Sequence, residues 1–284
     1  MKEAVRSFRV ATWLGWQIES NWTDPFLFLV YSIIKPVASV MILVIMYWVI
    51  TQTDTTNPYF AYMYLGNAAY IYVGSILVGV SWAVIDDREH YQTLKYIYVS
   101  PIRLYFYLLG RGMARFLTGT LSVLITMAFG LLVLKIPIRL AEVDWLYLMV
   151  SMLLGLASMA LMGLLLGAAT LQMARHFWSV GESVAGALYL LCGAIFPIDA
   201  LPAWLRPVCF ALPLTYWLES LRRAVLGSES SKQISPSLAD LGDGQLLLIL
   251  LGATLLFGLI SIFFFRWSEH RAREKGLLDM TSHY

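Results

Sequence analysis

Long apolar runs separated by short polar stretches dominate the chain. A helix needs about 20 mostly apolar residues to cross the hydrocarbon core of a bilayer. Six segments reach that length, at 26–50, 59–85, 116–134, 145–171, 177–198 and 245–265. Without water, the backbone must satisfy its own hydrogen bonds, and no segment alternates with the period of two that a barrel needs. The pattern therefore predicts six transmembrane helices in one all-α integral membrane domain covering residues 1–284. A further run at 203–226 is different. Its uncharged part, Pro207 to Leu218, contains two prolines and is bracketed by Arg206, Glu219, Arg222 and Arg223. That length and charge predict a re-entrant or interfacial hairpin, over 199–227, rather than a span.

The first 25 residues carry Val10, Trp13, Leu14, Ile18 and Trp22 at helical spacing, with Lys2, Arg6 and Arg9 placed to meet headgroups. This is the pattern of an amphipathic helix lying on the membrane surface, although Gln17 falls within the stripe and Trp16 outside it. No uninterrupted apolar core or small-residue cleavage site marks a secretory signal.

Composition agrees with the class: 59% of residues are hydrophobic and 13% charged, against about half and a quarter in soluble domains. The net charge of +2 says little about partners. Its distribution says more, because cytoplasmic loops are enriched in Lys and Arg. Six spans put both termini on one side. With that side inside, inner segments hold Lys2, Arg6, Arg9, Arg88, Lys95, Arg103, Arg111, Arg115, Arg175, Arg266, Arg271, Arg273 and Lys275. Outer segments hold Lys135, Arg139, Arg206, Arg222, Arg223 and Lys232. The bias predicts cytoplasmic termini in a multi-pass protein of the cell membrane.

On that topology the polar stretch DDREHYQTLKYIYVSPIRLYFYLLGR, residues 86–111, is cytosolic. Asp86, Asp87 and Glu89 precede Lys95, an order that suits the positive N-terminal end of a short helix. Tyr91, Leu94 and Tyr98 fall on one face, and Pro101 ends the pattern. A surface helix with an apolar, aromatic stripe is expected over 86–103. The plain alternative is a loop helix lying on its own bilayer.

This segment resembles the cytosolic loop of ABC-2 type exporter permeases. In them, an acidic-basic start is followed by Gly-Thr-Leu-Glu, Ser/Thr-Pro and a basic residue after Leu-Gly. Arg88-Glu89, Thr93-Leu94, Ser100-Pro101 and Leu109-Gly110-Arg111 match, while Gln92 replaces the glycine and Lys95 the glutamate. A second likeness lies at residues 192–227. Phe196-Pro197, Leu201-Pro202, Pro213-Leu214-Thr215-Tyr216, Arg222 and Gly227 follow the family's pattern there. The resemblance implies the type V exporter fold. It makes 86–103 a coupling helix docking into an ATPase subunit, through Arg88, Glu89, Thr93, Leu94, Tyr98 and Pro101. It makes 199–227 an extracellular re-entrant pair capping the pathway, through Pro197, Pro202, Pro213, Thr215, Tyr216 and Arg222.

A P-loop needs Gly-Lys followed by Ser or Thr to cradle phosphates. No lysine here follows a glycine. The chain is therefore expected not to hydrolyse ATP itself and to bind no cofactor, with ATP and Mg on a partner P-loop ATPase. The other partners expected are a second permease copy, the same or related, and membrane lipids, but no nucleic acid.

Glu182 is the one acid well inside a predicted span, toward its cytosolic end. It reads as either an interhelical or snorkelling group or a polar point on the entrance. Lys35 beside Pro36 reads as a snorkelling residue at a kink or span start. Tyr70 and Tyr72 lie deeper than an interface belt and are candidates to line an amphipathic route. The two family-like motifs lean toward export of a drug- or lipid-like amphipathic molecule. Leu14-Gly15-Trp16 only partly echoes polysaccharide exporters, so lipid-linked glycan export is the alternative. Gly181-Glu182-Ser183 begins like a protease Gly-x-Ser-Gly, but Val184 follows and no predicted span holds a histidine base. An ion-coupled secondary transporter would show midplane charges and internal repeats, which are not seen. A membrane scaffold is the remaining alternative. Cys192 and Cys209 read as apolar fillers, or as a disulfide if both lie at the outer surface.

Overall fold

The computed structural model describes residues 2–21, 25–51, 57–100, 102–173 and 180–276. Every regular element among them is helical. α1 (Lys2–Asn21) leads to α2 (Pro25–Thr51), and α3 (Pro58–Tyr72) continues into α4 (Gly79–Ile85). Two π-helical segments, Val73–Val78 and Asp86–His90, extend these into one rod from Pro58 to His90. The short α5 (Leu94–Val99) connects to α6 (Leu104–Leu132) and α7 (Trp145–Gln172). α8 (Val180–Leu191), α9 (Arg206–Phe210), α10 (Pro213–Leu226) and α11 (Ser228–Ile234) precede the long α12 (Asp243–Glu274).

Among the described residues, five helical stretches are long and apolar enough to cross a bilayer: Ser32–Thr51, Pro58–His90, Leu104–Leu132, Trp145–Gln172 and Asp243–Glu274. They match five of the six predicted spans. Where 177–198 was expected as a span, α8 has 12 residues, or about 18 Å of helix. Residues 174–179 lie outside the described residues. Past Leu191 the chain turns through Gly193, whose φ of 71° is a left-handed conformation suited to glycine.

Two boundaries also differ from expectation. Asp86, Asp87 and Glu89 do not begin a surface helix; they end the α3–α4 rod, and only Leu94–Val99 forms a separate helix. The third span begins at Leu104 rather than near 116, so Arg111 and Arg115 lie on the helix itself. In both cases polar residues look like a boundary, but their partners are brought by other helices. α2 covers the expected first span from Pro25 and passes through Pro36 without ending there.

α7 runs through the centre. Small residues let its neighbours close in. A Cβ added at Gly155 would lie 2.0 Å from Trp217, and one at Gly163 2.9 Å from the Leu77 carbonyl. α12 packs along α7 and is tied to it by the Ser268 hydroxyl, which donates to the Ala168 carbonyl at 2.5 Å. α1 lies against α6 with Ala4, Ser7, Ala11 and Gly15 inward and Val5, Val10 and Trp13 exposed. The apolar stripe expected to meet the membrane is thus largely on the open face. A second face of small residues packs on the protein.

Candidate functional site

Two buried polar clusters organise the ends of the bundle. The first is where the α3–α4 rod meets α5. Asp87 and Arg88 are 1% and 3% exposed, so each charge must be matched inside. Arg111 donates from Nη1 to Asp87 Oδ1 at 3.3 Å. Arg88 pairs with Glu89 at 3.0 Å and donates from Nη1 to the carbonyls of Thr170 and Met173, at 3.2 and 3.1 Å. Those carbonyls close α7, where a helix has unsatisfied acceptors and partial negative charge. Arg115 reaches Glu19 of α1 at 2.8 Å; burial pushes the Glu19 carboxyl up despite that cation. Four elements therefore meet through two arginine–carboxylate pairs and one helix C-terminus.

The loop hangs from this cluster. The Thr93 N–H donates to the Asp87 carbonyl at 2.8 Å. Gln92 takes a φ of 51°, a left-handed conformation costly for a residue with a Cβ. It occupies the position of the glycine in the family pattern, and this conformation is the physical reason a glycine suits it. Leu94 and Ile97 are buried against α4, α6 and α12, while Tyr91, Tyr96 and Val99 are exposed, Val99 at 85%. The outward surface of the loop is thus carried by Tyr91, Tyr96 and Val99, which sequence spacing did not single out as a set. Leu94 seats the loop from beneath. Pro101 and the Tyr98 side chain lie outside the described residues.

The second cluster surrounds α10. Arg222 is 2% exposed and lies with its guanidinium 3.7 Å from the centre of the Tyr62 ring. It donates to the carbonyls of Tyr62, Gly193 and Ala194 at 3.1, 2.8 and 2.9 Å. One side chain thereby joins α10, the start of the α3–α4 rod and the turn after α8. Glu219 accepts from Arg223 at 3.0 Å, Ser231 at 2.8 Å and Tyr62 at 3.3 Å. Arg223 also reaches Asp243 at the start of α12, at 3.0 Å. Of the charges that marked 203–226 as a loop-like segment, Glu219 and Arg223 are paired inside the protein and Arg222 is met by buried carbonyls, so α10 is enclosed on all sides.

The Pro-Leu-Thr-Tyr motif has a local explanation. Pro213 occupies the first turn of α10, where its missing N–H costs nothing. The Thr215 hydroxyl donates to the Cys209 carbonyl at 2.7 Å and the Tyr216 hydroxyl to the Phe210 carbonyl at 2.8 Å. Both satisfy the open C-terminal end of α9, which fixes the reversal between the two helices. Pro202 is exposed nearby, and Pro197 is buried before the turn at Ile198–Ala200. Cys192 and Cys209 are buried free thiols.

The tyrosines singled out in the second span are held by neighbours. Tyr72 is 4% exposed, stacks on Phe116 and donates to Thr120 Oγ1 at 3.2 Å. It points into the α6 interface rather than to an open surface. Tyr70 is half-buried, bonds to the Ala185 carbonyl and packs on Tyr189, with ring centres 4.7 Å apart. Glu182 is exposed in the first turn of α8, on a face with Ser183, Gly186, Ala187 and Leu190.

This assembly of long apolar helices with polar cross-ties at each end defines a multi-pass helical membrane protein. The profile of the ABC-2 type transporter family matches residues 6–226, from within α1 to the end of α10. The chain belongs to the ABC-2 type transporter family, whose members are the membrane permeases of ABC transporters and work with ATP-binding subunits. α12 lies beyond the match. No curated protein matches the sequence significantly.

Proposed function

We propose that the chain is a single-domain, six-span permease subunit of an ABC exporter in the cell membrane, both termini cytoplasmic. It works as a pair with a second copy and moves a drug- or lipid-like amphipathic molecule. ATP and Mg are held by a separate P-loop subunit, which grips the loop at 91–100. The observation that carries this reading is the way that loop is mounted. Its outer face is aromatic and apolar, at Tyr91, Tyr96 and Val99, while its base is bolted to the α3–α4 rod, α6 and α7 through Asp87, Arg88 and Arg111. A surface held this rigidly passes a push on to the spans, the kind of rigid-body switching between packed states that transporters use.

The substrate assignment rests on the exposed face of α8. Glu182, Ser183 and Gly186 give it polar and small groups in an apolar helix, which suits an amphipathic route better than a lipid-facing surface. Tyr70 and Tyr189 brace that helix from behind.

The test is co-expression with candidate ABC ATP-binding subunits from the same genome. Tyr96→Glu and Val99→Asp lie on the exposed face and leave the buried seat intact. They are expected to lower subunit association and substrate-stimulated ATP hydrolysis at least tenfold, with the isolated permease still folded. Unchanged association and hydrolysis would overturn the docking assignment.

A further inference from the structure

A cleft of about 400 Å3 opens between the start of α6 and the end of α12. Arg103, Tyr105 and Phe106 line one wall, and Ile262, Arg266 and Arg273 line the other. Its level along the bundle is marked by the sequence. The apolar stretch of α12 ends at Phe265, Arg266 is its first charge since Asp243, and Trp267 is 44% exposed beside it. A tryptophan at such a break is typical of the boundary between hydrocarbon and headgroups. Below that level Ile262 and Phe263 are exposed.

The charge in the cleft is not balanced. Glu269 lines the cleft too and pairs with Arg273 at 3.1 Å, with Arg266 also within its electrostatic reach, so three arginines face one carboxylate. Arg103 directly precedes the first turn of α6, where no side chain caps the open N–H groups, which adds positive potential at the same place. An excess of guanidinium over carboxylate and a helix N-terminus over an apolar lower wall are complementary to a phosphodiester carrying acyl chains.

We propose that this cleft holds one anionic phospholipid. Its phosphate is bound by Arg103 and Arg266, and its chains run along Ile262 and Phe263. The proposal rests on the chain crossing a bilayer with this end at the surface. It does not depend on docking of an ATP-binding subunit.

The test is native mass spectrometry of the detergent-purified chain offered phosphatidylglycerol and phosphatidylcholine in equal amounts. The wild type is expected to retain one phosphatidylglycerol in preference. R103Q/R266Q is expected to lose roughly 25-fold in that retention, or about 5-fold per arginine, with phosphatidylcholine unaffected. R103K/R266K keeps the charges and is expected to keep most of the preference, and Arg139→Gln, an exposed arginine far along the chain, to change nothing. Equal retention by wild type and R103Q/R266Q, or no preference between the two lipids, overturns the site. Displacement of the lipid by millimolar inorganic phosphate overturns it in favour of a free-anion site. Loss of ATP-binding subunit association in R103Q/R266Q with lipid retention unchanged overturns it in favour of protein docking. A wild type that shows the lipid preference, loses it in R103Q/R266Q and never associates with such a subunit leaves this site standing and removes the proposed function instead.

Discussion

At the residue scale, the two positions with the clearest physics are Gln92 and Arg222. A left-handed conformation costs a residue with a Cβ roughly 1–2 kcal/mol, part of which glycine loses again through its freer unfolded chain. Gln92→Gly is therefore expected to raise stability by about 0.5–1 kcal/mol, read as a higher melting temperature in detergent. A fall would show that the Gln92 side chain supplies a contact worth more than the strain. Arg222 poses the opposite problem. Its guanidinium serves three buried carbonyls and the Tyr62 ring at once, a planar fork that an ammonium does not reproduce. Arg222→Lys keeps the charge but leaves at least one carbonyl without a donor, at a cost of about 1–3 kcal/mol. Gly66→Ala is expected to do comparable damage from the other side, because its Cβ would lie 2.0 Å from Arg222 Nη2 and 2.2 Å from the Ala194 carbonyl. Thermal unfolding of both variants checks this. Unchanged stability in Arg222→Lys would mean that water fills the arginine's place.

At the scale of elements, what the sequence discloses depends on who satisfies a polar group. Spans with apolar residues throughout were legible, as was the proline-interrupted character of 203–226, because each carries its own signal. The extension of the second span to His90 was not, since Asp86–His90 reads as a solvated loop when Arg111 and the end of α7 are out of view. The same holds for Glu219 and Arg223, whose pairing is completed by Asp243 far along the chain, and for Arg222, which is met by carbonyls of Tyr62, Gly193 and Ala194. α1 shows the third kind of miss. Its aromatic stripe draws the eye, yet Ala4, Ser7, Ala11 and Gly15 make the face that packs on α6. That spacing was visible in the sequence, but small residues look neutral until a partner helix comes close. The approach is tight at Gly110, where a Cβ would lie 2.5 Å from the Phe8 carbonyl and 2.7 Å from Ala11 Cβ. Backbone cannot swing aside, so Gly110→Val is expected to cost about 1–3 kcal/mol and to detach α1. Limited proteolysis reports this as new cleavage within the first 21 residues, and an unaltered digestion pattern would place α1 elsewhere. A milder variant is expected at the opposite end. Thr215→Val removes one of two donors to the Cys209 carbonyl, which still accepts from the Leu212 N–H at 3.2 Å, and costs about 1 kcal/mol.

At the scale of the whole molecule, the described chain leaves one helix face that its own fold does not explain. α8 turns Glu182, Ser183, Gly186, Ala187 and Leu190 outward, while its other side packs on the π-helical segment at Val73–Val78. Lipid would be a poor solvent for a carboxylate on such a face, whereas a second permease copy or an enclosed aqueous route would suit it. α12 differs: between Leu248 and Phe263 its outward residues, including Leu255, Leu259 and Phe263, are large and apolar apart from Gly252, as a lipid-facing surface should be. The proposed pair is therefore expected to form with the α8 faces toward each other and α12 at the periphery. Cysteine cross-linking in native membranes separates these arrangements with little background, because Cys192 and Cys209 are both buried. Ala187→Cys is expected to give a dimer-sized band on mild oxidation, and Leu259→Cys to remain monomeric. If Leu259→Cys cross-links and Ala187→Cys does not, the copies meet along α12. Glu182 would then face lipid or solvent rather than a shared pathway. An added substrate that lowers cross-linking of Ala187→Cys without dissociating the complex would place the route between the two α8 helices. That is the one location in which the polar end of α8, the brace of Tyr70 and Tyr189 behind it and a push delivered through Asp87 and Arg88 act on the same space.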